Sequence, residues 1–464
     1  MLMRLLSICL AFFISSVSAL TAMEVKRPNV VIIIVDDLGW GDLSSYGGPN
    51  IQTPYFDSLG RDGMRFTKFR ASSPVCSPSR AALLSGMYAD RAGVPGVIRT
   101  HADNSVGFLL QQDSLITLQE ALKKVGYHTA HIGKWHLGLE SPNLPNERGF
   151  DYFHGFLGDM MDDFWHHRRH GNNYMRRNTE VIQTAGTHAT NLFTDWACAY
   201  IKDRATKRDQ PFFLYLSYNA PHTPIQPPPE WLERVKQREP GVPERRAALI
   251  ALIEHLDYEV GKVLKTLEET GLARNTLVFF TSDNGGDLGP GAYNGPHRSG
   301  KGTLYEGGLV TPFFARWPGK IAPGTVTAAE AVHMDLFPTV LEAVGINLES
   351  ARGTIFPQRI DASSMMDVLT GKATKMPNRQ LYFVRREGGL EFGMKTAEAL
   401  IYDGWKIIQN RPFVRQELYN LNEDPLETTD LRETAPQRFR ELAAMLRLHI
   451  QEGGRVPWLP PAKD

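Results

Sequence analysis

Four short apolar runs each end abruptly in a cluster of polar residues, and that pattern leaves few architectures open. Residues 29–35 run into Asp36-Asp37, 127–132 into Gly133-Lys134-Trp135-His136, 211–218 into Asn219-Ala220-Pro221-His222, and 276–282 into Asp283-Asn284-Gly285-Gly286. Continuous β-branched runs of this length belong to strands buried on both faces, and amphipathic helical patterns at 115–125 and 247–270 alternate with them. The fold class is therefore α/β: a large, mostly parallel or mixed sheet with helices on both faces. Ligands in such sheets bind just beyond the carboxyl ends of the strands, so the topology predicts one crevice ringed by all four polar endings.

The character changes after 357. Shorter strand-like runs at 380–384 and 405–409, a strand and turn at 417–425, and a helical pattern at 436–451 predict a small C-terminal α+β domain with a short antiparallel sheet. The 464 residues, 42% of them apolar, suffice for one large core and a smaller one. The division expected is a catalytic domain over 23–356 and a C-terminal unit over 357–464.

Residues 1–22 have the layout of a secretory signal peptide, with Arg4, an apolar stretch from Leu5 to Val17, and small residues through Ala19 and Ala22. That stretch is well short of the roughly 20 apolar residues that a spanning helix needs, so export to the periplasm or the exterior is expected, without stable membrane insertion. Lys and Arg total 51, and so do Asp and Glu, which gives no overall bias towards nucleic acid or an acidic membrane. Attraction for an anion has to be local.

Outside the leader the cysteines are Cys76 and Cys198, too few for a crosslinked scaffold. Cys198 lies in a helical pattern and reads as a small buried hydrophobe. Cys76 precedes Ser77, Pro78, Ser79 and Arg80, which opens the helix-prone run to Ser85. An atom at that helix start would feel the dipole and the Arg80 guanidinium, both favouring negative charge, although by position alone it is an ordinary buried cysteine.

Asp36, Asp37, Asp283 and Asn284 offer only oxygen ligands, which suits a hard cation, calcium above all, better than zinc. Adjacent acids raise each other's pKa unless a cation lies between them. Lys134, His136, His222 and Lys301, the last from Gly300-Lys301-Gly302-Thr303, could bind a dianionic ester, stabilise charge on its oxygens and protonate a departing alkoxide.

Taken together, these motifs resemble the formylglycine-dependent sulfatases of the alkaline phosphatase superfamily, in particular the arylsulfatase and N-acetylgalactosamine-6-sulfatase group. Cys76-Ser-Pro-Ser-Arg80 with Ala81-Ala-Leu-Leu-Ser-Gly86 resembles that family's modification motif, and Gly133-Lys-Trp-His-Leu-Gly138 its second motif. The resemblance implies that a separate formylglycine-generating maturation enzyme converts Cys76 to an aldehyde, whose hydrate attacks the sulfur of a sulfate ester while Arg80 steadies the diol. It also implies one calcium ion on Asp36, Asp37, Asp283 and Asn284, with Lys134 and Lys301 on the sulfate. His222 would be the acid to the leaving oxygen. His136 would be the base that takes the proton from the second diol hydroxyl, so that sulfate leaves without water attacking sulfur.

The expected substrate is a sulfated saccharide, of galactose or N-acetylgalactosamine type. Between Asp159 and Arg177 the chain mixes aromatic, acidic and basic residues, including His166 and His167, and reads either as a sugar subsite or as a solvated loop. Arg99 and His101, with Asp103, are candidates for the pocket wall. Two rival readings remain open: a phosphomonoesterase or phosphonate hydrolase of the same superfamily, and a non-catalytic sulfated-glycan-binding relic.

Overall fold

The computed structural model describes residues 27–99, 115–387 and 396–453. The leader assigned to 1–22 lies outside them. Five parallel strands form the middle of the main sheet: β1 (Asn29–Val35), β2 (His128–Lys134), β3 (Tyr152–Phe156), β4 (Phe212–Ser217) and β5 (Thr276–Ser282). Their spatial order is β5-β1-β4-β2-β3. Antiparallel and edge strands complete a 10-stranded mixed sheet, with Phe313–Arg316 beside β5, Met64–Phe66 beyond it, and Met175–Arg177 beside β3.

All seven residues of β1 are buried, as the sequence Asn-Val-Val-Ile-Ile-Ile-Val requires of a strand covered on both faces. Successive side chains alternate between the two layers. Val30, Ile32 and Ile34 pack with α1 (Cys76–Ser85) and α2 (Leu118–Lys124). Val31, Ile33 and Val35 pack with α3 (Ala189–Ala205) and α4 (Glu244–Glu269). α2 is shorter than the apolar pattern suggests because Thr117 and Glu120 form a capping box that starts the helix at Leu118. α1, conversely, begins at Cys76 itself rather than at Arg80.

Register then delivers the strand ends to one place. Val35 lies opposite Ser282, and Ile34 opposite Ser217, so the residues that follow emerge together at the carboxyl edge. Ser217 in turn lies opposite Gly133, with Lys134 next.

The C-terminal sheet is an antiparallel meander of β6 (Leu381–Arg386), β7 (Thr396–Tyr402), β8 (Trp405–Gln409) and β9 (Glu417–Asn420). It is covered by α5 (Pro436–Gly453) through Leu442 and Leu446. A buried ion network fastens it to the short helix Glu306–Leu309 and the two-stranded Phe69–Arg70 ladder: Glu306 accepts from Arg70 at 2.7 Å and from Lys406 at 2.9 Å, and Lys406 also meets Glu427 at 2.8 Å. Among the described residues both cysteines are free thiols, and no helix is long and apolar enough to cross a membrane.

Burial works to raise the Glu306 carboxyl, but Arg70 and Lys406 overcome it and hold the group well below the ordinary glutamate range. A depressed folded pKa contributes stability that is complete above the unfolded value and is lost as pH falls towards the folded one. Glu306→Gln should therefore lower the thermal midpoint at about pH 7 and narrow the difference between the midpoints at about pH 7 and pH 4, read by circular dichroism.

Candidate active site

The acids owe their positions to backbone pairing at the sheet edge. Asp36 N–H donates to the Ala220 carbonyl at 3.1 Å and Asp283 N–H to the Val35 carbonyl at 3.0 Å, which ties the endings of β1, β4 and β5 together. Asp37 turns through a left-handed conformation, φ 66°, that aspartate tolerates better than bulkier residues, and its N–H donates to Asp283 Oδ1 at 3.3 Å.

Cys76 stands at the first turn of α1, with its Sγ–H donating to Asp36 Oδ1 at 3.3 Å. Ser73 and Ser79 fold the preceding loop: Ser79 Oγ accepts from Ser73 N–H at 3.0 Å and donates to the Ser73 carbonyl at 2.8 Å. One turn into the helix, Arg80 is wholly buried. Its Nε and Nη2 donate to Asp283 Oδ2 at 3.0 and 2.8 Å, and its Nη1 donates to Ser217 Oγ and the Lys134 carbonyl.

This arrangement corrects one expectation. Burial, followed by the charges of Asp283 and Asp36, pushes the Cys76 thiol well above its ordinary value, outweighing Lys301 and Lys134. The guanidinium expected to favour a thiolate is committed to Asp283. Burial and the neighbouring acids thus disfavour a thiolate at Cys76, the opposite of what the helix start alone suggests.

Three buried carboxylates face three cations. Lys134 Nζ donates to Asp36 Oδ2 at 2.5 Å, Lys301 Nζ to Asp37 Oδ2 at 2.6 Å, and Arg80 pairs with Asp283. Burial would raise Asp36 and Asp37, yet Lys134 holds the first below the usual range and Lys301 the second, each with help from His222. Asp283 goes the other way, because burial and the charge of Asp36 outweigh Arg80.

The donor set fits a hard cation. Ligand atoms of Asp36, Asp37, Cys76 and His222 all lie within 4.8 Å of one another. Asn284 Nδ2 donates to Asp37 Oδ1 at 2.8 Å, while its Oδ1 is buried with no hydrogen-bond partner, an acceptor left for a positive ion. Of the four oxygen-bearing residues singled out in the sequence, Asp36 and Asp37 belong to this close group; Asp283 adjoins it through Arg80 and the Asp37 N–H, and Asn284 through Asp37 Oδ1.

His136 Nε2 lies 2.8 Å from the Ile98 carbonyl, which can only accept, so Nε2 carries the hydrogen and the unpartnered Nδ1 presents a lone pair. Burial, then Lys134 and Arg80, hold the ring neutral. His222 Nδ1 donates to the Thr223 carbonyl at 2.7 Å, leaving Nε2 towards Asp37 Oδ2 at 3.5 Å. The Lys301 side chain is 21% exposed and that of His222 11%, whereas those of Asp36, Arg80 and Lys134 are fully buried, so the site opens on the His222 and Lys301 side.

The remaining candidates divide. The 159–177 segment docks against the His222 strand ending, since Gln226 accepts from Phe164 N–H at 2.9 Å and donates to Asp163 at 3.1 Å. His166 is exposed and bonded to Asp163 at 2.8 Å. His167 is buried, with ring nitrogens taken by Thr184 and the Thr187 carbonyl, so it holds the loop rather than facing a ligand. Arg99 bonds Glu387 at 2.7 Å, and His101 and Asp103 lie outside the described residues. Sequence reasoning missed Ser217, the Arg80 acceptor, and His131, whose Nε2 lies 3.1 Å from the Lys134 carbonyl. Both sit inside strands, where apolar neighbours hid them.

A sulfatase family model matches residues 28–346, and a model of the C-terminal region of N-sulphoglucosamine sulphohydrolase matches 297–453. The chain belongs to the sulfatase family and is a sulfuric ester hydrolase. It is 34% identical to N-acetylgalactosamine-6-sulfatase of Mus musculus over 74% of this chain and 67% of that protein. With a sulfatase of Formosa agariphila the identity is 31%, over 90% of this chain and 87% of the relative. The crystal structure of Ps i-CgsB in complex with k-i-k-neocarrahexaose superposes with a TM-score of 0.82 at 26% identity, covering 94% and 95% of the two chains.

Arg80→Ala would leave Asp283 buried and uncompensated, at a cost of roughly 3–5 kcal/mol, whereas Arg80→Lys keeps the charge but loses the fork and should fall between. Chemical denaturation of both variants checks the order.

Proposed function

We propose that this chain is an exported carbohydrate sulfatase that removes sulfate from a galactose- or N-acetylgalactosamine-type glycan, using a nucleophile made from Cys76. The observation that carries this reading is the place of Cys76: it opens α1 with Sγ 3.3 Å from Asp36 Oδ1, and ligand atoms of Asp36, Asp37, Cys76 and His222 lie within 4.8 Å of one another, so a formylglycine there would stand among the acids and the histidine of the site. Hydrated, that aldehyde offers two hydroxyls, one to attack sulfur and one whose later deprotonation releases sulfate. A maturation enzyme supplied by the host makes the conversion.

Asp36, Asp37, Asp283 and Asn284 would hold one calcium ion, which when bound acts as a Lewis acid on the sulfate oxygens. The chain's own residues do the rest. Lys134 and Lys301 grip the sulfate, and Arg80 orients the group at position 76. His222, on the open side, carries a proton on Nε2 to the leaving sugar oxygen. The free Nδ1 of His136 accepts the proton that the second hydroxyl gives up.

The three carboxylates and three cations balance without a metal, so a divalent ion leaves the pocket net positive and suited to a sulfate ester. A sulfated saccharide is supported by the similarity to N-acetylgalactosamine-6-sulfatases and to a structure solved with a neocarrahexaose. We assign catalysis to 23–356, with 357–464 as a smaller C-terminal unit and 1–22 as the export signal.

The test is sulfate release from a panel of defined sulfated saccharides, with a steryl sulfate and a nitrophenyl phosphate as contrasting esters. Cys76→Ala should abolish turnover while leaving folding and ester binding largely intact, and retained activity in that variant would remove Cys76 from the mechanism. His222→Ala should cost far more on a sugar sulfate than on nitrophenyl sulfate, whose leaving group departs with little help. Equal losses on the two would take the acid role from His222.

A further inference from the structure

Gly302, the residue after Lys301, lies in a turn that is gripped on both sides by segments distant in sequence. Its N–H donates to the Pro74 carbonyl at 2.8 Å, in the loop that leads into Cys76. Its carbonyl accepts from Arg385 Nη1 at 2.6 Å, at the end of β6 in the C-terminal sheet. The turn needs a left-handed backbone, φ 83°, and a Cβ built on Gly302 would lie 2.4 Å from Arg385 Nη1. Glycine here permits both the conformation and the approach of the guanidinium.

Arg385 is itself fixed. Its Nε and Nη2 donate to Glu387 Oε1 at 2.7 and 2.6 Å, and the other oxygen of Glu387 accepts from Arg99 at 2.7 Å. Arg385 is 8% exposed and Glu387 3% exposed, so this clamp is enclosed and little screened. Arg99 follows Ile98, whose N–H donates to Ser77 Oγ and whose carbonyl takes the His136 ring hydrogen. One arginine–glutamate pair from the C-terminal sheet therefore touches the backbone beside Lys301 and the segment that seats His136.

We propose that Arg385 is a positioning residue for Lys301, fixing the Gly302 carbonyl so that the Lys301 ammonium stands at Asp37 beside Cys76, with Glu387 holding Arg385 in place. The C-terminal sheet thereby completes the anion pocket of the main sheet. This rests on the reading of Lys301 as a sulfate-binding lysine, and it adds a residue that never touches the ester. A guanidinium bonded to a carbonyl is a charge-assisted contact, and its loss lets the lysine turn relax.

The test uses the full matured chain and 4-nitrophenyl sulfate. Arg385→Ala should raise KM roughly tenfold with kcat changed by less than about threefold, because Lys301 grips ground state and transition state alike. Arg385→Lys, which can still donate to Gly302, should recover most of that loss, and Glu387→Gln should shift KM the same way by less. A merely structural clamp would lower the thermal midpoint and leave KM per folded, matured site unchanged, and that result overturns the proposal. So does an Arg385→Lys protein no better than Arg385→Ala. If Arg385→Ala does not fold, the Glu387→Gln KM decides, an unchanged value counting against. Should the parent chain release no sulfate from any ester, the functional reading fails by itself. Calorimetry with inorganic sulfate then decides the positioning claim: affinity weakened roughly tenfold in Arg385→Ala supports it, and equal affinity overturns it.

Discussion

The strand ends of the main sheet converge on three buried carboxylates and three cations, of which Lys301 alone is partly open to water. Asp36, Asp37 and Asp283 reach each other because neighbouring parallel strands end in register. Such a cluster would repel itself if Lys134, Lys301 and Arg80 were not at the same point, each arriving from a different element. The elevation of Asp283 and the unpartnered Asn284 oxygen mark where the compensation is incomplete, on the side that fits a hard cation.

The fold serves that cluster by rigidity. Strands buried on both faces cannot slip without turning apolar side chains into the wrong layer, so the register that aligns Val35 with Ser282 is strongly specified. Helix α1 then brings Cys76 to Asp36 and, one turn later, Arg80 to Asp283. The partly exposed members, His222 and Lys301, sit on a strand ending and a turn at the open side of the cluster. The same geometry buries the Cys76 side chain against Asp36.

Much of this was legible from residues alone. The bounds 29–35 and 276–282 match β1 and β5, because short runs rich in β-branched and aromatic residues, ended by polar ones, have few alternatives. The polar endings were readable as one site because parallel topology dictates where strand ends go. What sequence could not supply was reach across the fold. Nothing near Gly302 announces Arg385, 83 positions away, because their meeting depends on how the C-terminal sheet packs on the rest of the fold. His167 shows the reverse error: a ring that reads as a ligand group serves its own loop, since a loop that long needs internal hydrogen bonds. The helix start was also misplaced, and with it the electrostatics of Cys76: counting Arg80 as a free charge ignored Asp283, which only the strand register brings within 2.8 Å.

The central claim is that the gene encodes a precursor of the nucleophile rather than the nucleophile. The most direct measurement is the mass of the peptide containing Cys76, taken from protein purified from its native host in active form. The account predicts a residue that has lost one sulfur and two hydrogens and gained one oxygen, the composition of the aldehyde. Active protein in which position 76 is uniformly an unmodified cysteine would contradict it.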